Sequence, residues 1–282
     1  MSSISAEPLL QVTDLHKCYR SHGTEVAAVS GVSFRLDAGQ SIGIVGESGS
    51  GKSTTARMLV GLETPDSGVI SVQGRELTGR PRGRAERLRR ARAIQIVFQD
   101  PYLSLDPRLP VGAAIEGVLR LHTDLAGPDR RRRVLQLLEQ VGLGEQQAAC
   151  VPRRLSGGQR QRVAIARALA VEPRVLVLDE AVSALDVSVQ AQVLNLLTDI
   201  RQETGIGLVF ISHDLAVVRY VCDETLVMYR GRVVEHDSTR RLLDDPTHPY
   251  TRLLLSAVPR PGWDPAAIAR LRREVAGLGP AS

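Results

Sequence analysis

Cysteine is scarce: three residues in 282, Cys18, Cys150 and Cys222, far apart and odd in number. With no Cys-x-x-Cys pair among them, the pattern argues against a disulfide framework and a cysteine metal centre, and a reduced, cytoplasmic setting is expected. Long hydrophobic runs are also missing. Stretches such as Val175 to Leu178 and Leu208 to Ile211 fall far short of the ~20 apolar residues a spanning helix needs, so any membrane step requires another chain. Residues Met1 to Glu7 lack a charged start followed by an apolar stretch, so no signal peptide is expected. Aromatic residues make up only 3%. The arginine runs 80–92 and 130–133 therefore carry no interleaved rings for base stacking, and despite a net charge of +5 they read as solvated helix faces or loops. No nucleic-acid partner is expected. Lysine is nearly absent too, since only Lys17 and Lys52 among the 36 basic residues are lysines. Lys52 thus stands where arginine is otherwise preferred, and a compact ammonium suits a tight phosphate site better than a planar guanidinium.

What is present is the composition of a soluble globular protein, 43% hydrophobic and 24% charged, long enough for one large domain or a domain with a subdomain. From Leu9 to about Val72 alternating stretches (Val32, Phe34, Leu36; Ile42, Ile44) read as a mostly β layer, with a helix from Gly51 toward Gly61. From Tyr102 to about Ala170 the period turns helical, with Val134, Leu137, Leu138 and Val141 on one face. Strands then return at Val175 to Leu178, Leu208 to Ile211, Thr225 to Tyr229 and Val233 to His236, separated by helical stretches, which predicts a parallel α/β core. Beyond about Asp245 the chain is proline-rich and reads as an appendage, with a short helix near Ala266 to Val275.

The chemistry concentrates in a few motifs. Gly46-Glu47-Ser48-Gly49-Ser50-Gly51-Lys52-Ser53-Thr54 follows an apolar strand and opens a helix, the context a phosphate loop requires. Its glycines let backbone amides close on phosphates, Lys52 neutralises them, and Ser53 can ligate Mg²⁺. Leu155-Ser156-Gly157-Gly158-Gln159 precedes an apolar helical pattern, so it offers a second anion site at a helix N-terminus. Two such sites in one chain suggest that two copies share two nucleotides. The run Val175 to Leu178 ends in Asp179 and Glu180, placing one carboxylate for Mg²⁺ and one to polarise an attacking water as general base. Gln99 follows an apolar stretch from Ile94 to Phe98, where its amide can reach metal or water. His213 follows the strand ending near Ser212, where it can bond a γ-phosphate and hold Glu180 in register. Tyr19 can stack on adenine, and Ser183-Ala-Leu-Asp186 can relay the state of one site to the other.

The order aromatic, phosphate loop, glutamine, Leu-Ser-Gly-Gly-Gln, Asp-Glu, Ser-Ala-Leu-Asp, histidine resembles the ATP-binding subunit of ABC transporters over nearly the whole chain. The resemblance implies a phosphate-loop NTPase core with an antiparallel β subdomain and an inserted α-helical subdomain at about 102–170, all within 1–244, followed by an extension at 245–282. It makes Tyr19 the adenine-side aromatic, Gln99 the Q-loop residue, Ser156 to Gln159 the signature facing the partner's ATP, Asp186 the D-loop residue and His213 the switch histidine. ATP and Mg²⁺ are the implied cofactors. The implied partners are a second cassette, identical or paralogous, two membrane permeases, and an extracytoplasmic binding protein acting through them. Such a chain would sit peripherally on the cytoplasmic face of the membrane.

Phe98-Gln-Asp-Pro-Tyr-Leu-Ser-Leu-Asp-Pro-Arg108, Ser183 to Gln192, and Thr247-His-Pro-Tyr-Thr251 with the following stretch to Pro259 are similar to the oligopeptide/dipeptide importer branch, which also serves nickel and metallophore uptake. Ala181 departs from the proline that peptide-importer relatives commonly carry after Asp-Glu, and some nickel-type members have alanine there, so both cargoes stay open. The C-terminal cysteine cluster of some relatives is absent, and no iron–sulfur centre is expected. A soluble ABC ATPase acting on DNA or ribosomes is the rival class. The interval between phosphate loop and signature is too short for the coiled coils of repair-type relatives, and the chain holds one cassette where translation-type relatives carry two.

Overall fold

The computed structural model describes residues 7–21, 24–100, 104–256 and 270–275. Two sheets organise them. β1 (Leu10–Ser21), β2 (Thr24–Leu36), β4 (Ser67–Val72) and β5 (Arg75–Glu76) form an antiparallel sheet in the order β2-β1-β4-β5. β3 (Ser41–Val45), β6 (Ile94–Phe98), β7 (Val175–Asp179), β8 (Gly207–Ile211), β9 (Glu224–Tyr229) and β10 (Arg232–Ser238) form the second, in the order β10-β9-β3-β8-β7-β6. The N-terminal β stretch is thus divided: β3, with Ile42 and Ile44, leaves the antiparallel layer and joins the large sheet. All five of its residues are buried, as a strand with parallel neighbours on both sides and apolar cover on both faces requires.

Alternation along the large sheet assigns each face. Leu176, Leu178, Leu208 and Phe210 belong to one buried cluster, with the helical segment, while Val175, Val177, Val209 and Ile211 belong to another, with the antiparallel sheet and helix α1 (Lys52–Leu59). The parallel arrangement fails at one edge, because β10 runs antiparallel to β9. Arg230 and Gly231 join the two strands, both with positive φ (48° and 82°). So short a link makes a hairpin, since a parallel crossover needs a dozen residues or more.

The chain between β6 and β7 is helical: α3 (Val111–His122), α4 (Gly127–Gln140), the short α5 (Glu145–Ala148), a 3₁₀ turn (Pro152–Arg154) and α6 (Gly157–Leu169). Val134, Leu137, Leu138 and Val141 are buried as their spacing predicts. Residues 102 and 103, where the helical segment is expected to begin, lie outside the described residues. The arginine run 84–92 forms the exposed helix α2 (Arg84–Ala93), which buries none of its residues. Arg130, Arg132 and Arg133 pair with Glu116, Asp129 and Glu172. These are surface pairs worth ~0–1 kcal/mol each. The helices α7 (Val187–Thr204), α8 (Leu215–Val221) and α9 (Thr239–Asp244) also pack into the core.

The described residues of the last segment pack against the core. Helix α10 (Pro249–Ser256) sends Tyr250 and Leu253 into the main cluster, and Val275, in a helical turn at 270–275, joins them. Of the short helix expected near 266–275, residues 266–269 lie outside the described residues, as do 257–259 of the stretch ending at Pro259.

Candidate functional site

Parallel pairing in register is what assembles the site. Ile44 lies opposite Ile211, Ile211 opposite Asp179, and Asp179 opposite Phe98, so β3, β8, β7 and β6 end at one level. The segments that follow them, starting at Gly46, Ser212, Glu180 and Gln99, therefore meet at the carboxyl edge of the sheet, where ligands bind in open α/β folds.

The phosphate loop is shaped by close approaches as much as by turns. A Cβ on Gly46 (φ 152°) would lie 2.2 Å from the Met228 carbonyl oxygen, and one on Gly51 (φ 105°) 2.3 Å from that of Ala28. Both positions need glycine for conformation and for space. Gly49 (φ 80°) has nothing within 4 Å, leaving that side of the loop open to a ligand. Lys52 is buried inside the loop, its Nζ donating to the carbonyls of Gly46 (2.7 Å) and Glu47 (2.8 Å). Burial draws its pKa below the ordinary lysine value, opposed by the carboxylates of Glu180, Asp179 and Glu47.

Ser53 Oγ donates to Asp179 Oδ1 at 3.3 Å. A hydroxyl and a carboxylate oxygen at that spacing are the hard-oxygen donors Mg²⁺ takes, alongside phosphate and water oxygens. Burial holds the Asp179 carboxyl above its usual range, against the Ser53 hydrogen bond. The native protein therefore holds this proton more tightly than the unfolded chain, so the stability it contributes is present below the ordinary aspartate pKa and lost as pH rises through the native one. Asp179→Asn is expected to raise the Tm of the protein without nucleotide at pH 7, the gain vanishing below the ordinary aspartate range. Melting curves across that pH span check this, and a lower Tm at pH 7 would contradict it.

Glu180 follows with φ 51°, a left-handed conformation in a non-glycine residue. Its N–H donates to the Ile211 carbonyl (2.9 Å) and its own carbonyl accepts from Ser183 N (3.1 Å) and Ser183 Oγ (2.9 Å), which hold the turn. The half-buried Glu180 side chain presents Oε2 3.4 Å from Nδ1 of the exposed His213. Tyr19, Ala28, Ser48, Gly49, Gly51, Lys52, Ser53, Thr54, Glu180 and His213 line one cleft of about 610 Å³. The sequence-derived aromatic, loop, base and histidine are thus brought together.

The other motifs lie elsewhere. Among the described residues, neither Gln99 nor Ser156 to Gln159 nor Asp186 lines that cleft. Gln99 is exposed, its amide donating to Ser183 Oγ (3.3 Å), one bond from the Glu180 carbonyl. With Gly157, Ala181 and Leu185 it borders a separate cleft of about 410 Å³. Ser156 and Gln159 form a reciprocal capping box, Gln159 N to Ser156 Oγ at 3.2 Å and Ser156 N to Gln159 Oε1 at 3.0 Å. Gly158 is glycine for a packing reason, since a Cβ would lie 2.3 Å from Val189 Cγ1 on α7. Asp186 caps α7, accepting from Ser188 Oγ (2.7 Å) and Val189 N (3.0 Å), and these bonds hold its carboxyl below the usual range.

Two supports of the loop escaped sequence reasoning. Gly231, in the β9–β10 turn, donates its N–H to the Ser50 carbonyl (3.0 Å). Tyr250 Oη accepts from Glu47 N at 2.9 Å. His-Pro-Tyr was legible as a motif, but no local signal marks its contact with a loop 203 positions earlier.

Fold and cleft together define a phosphate-loop nucleotide-hydrolysing domain. The ABC transporter model matches residues 29–183, and the model of the oligopeptide/dipeptide transporter C-terminal region matches 234–279. The chain belongs to the ABC transporter family, as an ATP-binding subunit that hydrolyses ATP. It is 48% identical over 265 residues, 92% of this chain and 81% of the relative, to the di/tripeptide transport ATP-binding protein DppF of Pseudomonas aeruginosa (strain UCBPP-PA14). To the dipeptide transport ATP-binding protein DppF of Escherichia coli (strain K12) it is 48% identical over 260 residues, 90% of this chain and 77% of that one. Among solved structures, the dimeric post-hydrolysis state of the cassette MJ0796 bound to ADP and Pi superposes with a TM-score of 0.74 at 29% identity, covering 82% of this chain and 99% of that one. Among the described residues no helix is long and apolar enough to cross a membrane.

Proposed function

We propose that this chain powers the import of dipeptides or oligopeptides through partner membrane permeases. The match of residues 234–279 to the oligopeptide/dipeptide transporter C-terminal region carries the reading, and the two DppF relatives support it. The cassette is taken as 1–244 and the extension as 245–282.

In the proposed cycle the loop amides and Lys52 hold the phosphates of ATP, with Tyr19 against the adenine. Ser53 and Asp179, with Gln99 adjoining, would hold Mg²⁺, which neutralises charge on the phosphates when bound. Glu180 takes the proton of a water attacking the γ-phosphorus as the bond to the β-phosphate oxygen breaks, and His213 keeps Glu180 and the water aligned. Separation of the capping box at Ser156 from the loop cleft supports a half-site arrangement. A second cassette, identical or paralogous, would present its Ser156 to Gln159 counterpart to this chain's ATP, and Asp186 would sit at the junction. Hydrolysis does work on the permeases because ATP binds the closed pair better than the open one. The membrane partners are taken as two permeases, with an extracytoplasmic binding protein acting through them, and the chain as peripheral on the cytoplasmic face.

Reconstitution with the permeases tests the reading. Binding protein loaded with a di- or oligopeptide is expected to stimulate ATP hydrolysis several-fold over unloaded protein. Stimulation by a nickel-loaded binding protein alone would replace the peptide cargo with metal. Sharply salt-dependent stimulation by nucleic acid would move the chain to the soluble class.

A further inference from the structure

We propose that Tyr250 is a positioning residue for ATP binding, its hydroxyl fixing the phosphate loop from the C-terminal segment. The inference rests on the reading of residues 46–53 as the phosphate loop.

The segment Thr247-His-Pro-Tyr is built to deliver that hydroxyl. Glu235, on β10, accepts from Thr247 N (2.7 Å), Thr247 Oγ1 (2.8 Å) and His248 N (3.1 Å), tying the start of the segment to the large sheet. His248 then acts as a helix cap: its Nδ1 accepts from Tyr250 N (3.1 Å) and its carbonyl from Arg252 N (3.1 Å). Proline suits the next position, the first of the helix, where a missing N–H costs nothing. Tyr250 follows on the inward face, fully buried, its ring 4.2 Å from that of Tyr229 at a tilt of 32°. Burial pushes the Tyr250 pKa up to about 12, so its hydroxyl stays neutral at working pH.

The consequence lies in a single peptide unit. Between Gly46 and Glu47, the carbonyl oxygen accepts from Lys52 Nζ at 2.7 Å and the N–H donates to Tyr250 Oη at 2.9 Å. One rigid plane is thus held by the loop lysine at one end and by the C-terminal tyrosine at the other. Turning that plane would release Lys52 from one of its two loop carbonyls. The Glu47 N–H, committed to Tyr250, serves to shape the cradle rather than to bind phosphate.

Tyr250→Phe keeps the ring stack and removes only the hydroxyl, and with it the acceptor for Glu47 N. The variant loses one hydrogen bond to a part-buried N–H and is expected to raise the Kd and KM for MgATP roughly five- to tenfold, with kcat within about twofold. Titration of the full chain with MgATP, beside Lys52→Ala, reads this below the melting temperature of each variant. In the unaltered protein without nucleotide, hydrogen exchange should find the Glu47 amide better protected than those of Ser48 and Gly49. Unchanged Kd and KM in Tyr250→Phe, with only a lowered Tm, would overturn the proposal and leave Tyr250 as packing. Fast exchange of the Glu47 amide would overturn it without any variant. Unaltered affinity in Lys52→Ala would instead overturn the phosphate-loop reading itself, and the proposal with it.

Discussion

Glu180→Gln is expected to keep ATP binding and to lower turnover by about 10²–10⁴-fold, the span a positioned general base supplies. An amide preserves the size of the side chain and its contact toward His213 Nδ1, now 3.4 Å from Glu180 Oε2, but it cannot take a proton from water. The left-handed turn at residue 180 depends on backbone bonds to Ile211 and Ser183, and glutamine leaves those intact. Because opening of the cassette pair follows hydrolysis in the proposed cycle, the variant should accumulate as an ATP-bound dimer. Single-turnover hydrolysis and size-exclusion chromatography in MgATP check both halves. Hydrolysis at the unaltered rate would remove Glu180 from the base role.

Lys52→Ala should weaken ATP binding on the order of 100-fold, since a hydrogen bond to a charged group is worth about 1.5–3 kcal/mol and the triphosphate offers more than one acceptor. The buried ammonium also satisfies the Gly46 and Glu47 carbonyls, so the loop loses an internal tie together with its charge. An equilibrium titration with ATP measures the loss. Lys52→Arg should not restore affinity, because the planar guanidinium cannot occupy the pocket that receives a point charge within hydrogen-bond reach of both carbonyls.

Local patterns were legible where local physics sets them. The helix α4 follows from the spacing of Val134, Leu137, Leu138 and Val141, and its burial agrees. Ser156 to Gln159 read as the N-terminus of a helix, and the helix begins there at Gly157, closed by a capping box that the structure adds. The glycines of residues 46–51 mark a turn that other residues resist, although the reason at Gly46, crowding by the Met228 carbonyl, lies in β9. The expectation of parallel strands fails at the C-terminal edge, where link length and not periodicity carries the direction. β10 carries the same apolar signal as a parallel strand would, and only the short Arg230-Gly231 link makes it antiparallel. Nor did alternation separate β3 from the antiparallel layer, because period two is shared by both kinds of sheet.

The sequence by itself determined the chemical inventory: a loop that cradles phosphate, a lysine at its end, adjacent carboxylates after an apolar strand, and a glycine pair beginning a helix. Those depend on residues within a few positions of one another, where conformational preference and hydrogen-bonding reach are short-range. Only the tertiary structure decided which of them share a cleft. Register across β3, β8 and β7 brings Glu180 and His213 to the loop, while Ser156 to Gln159 is held elsewhere. It also decided that Tyr250 should hold Glu47, because a contact between residues so distant in the chain exists only when packing of the whole core brings them together.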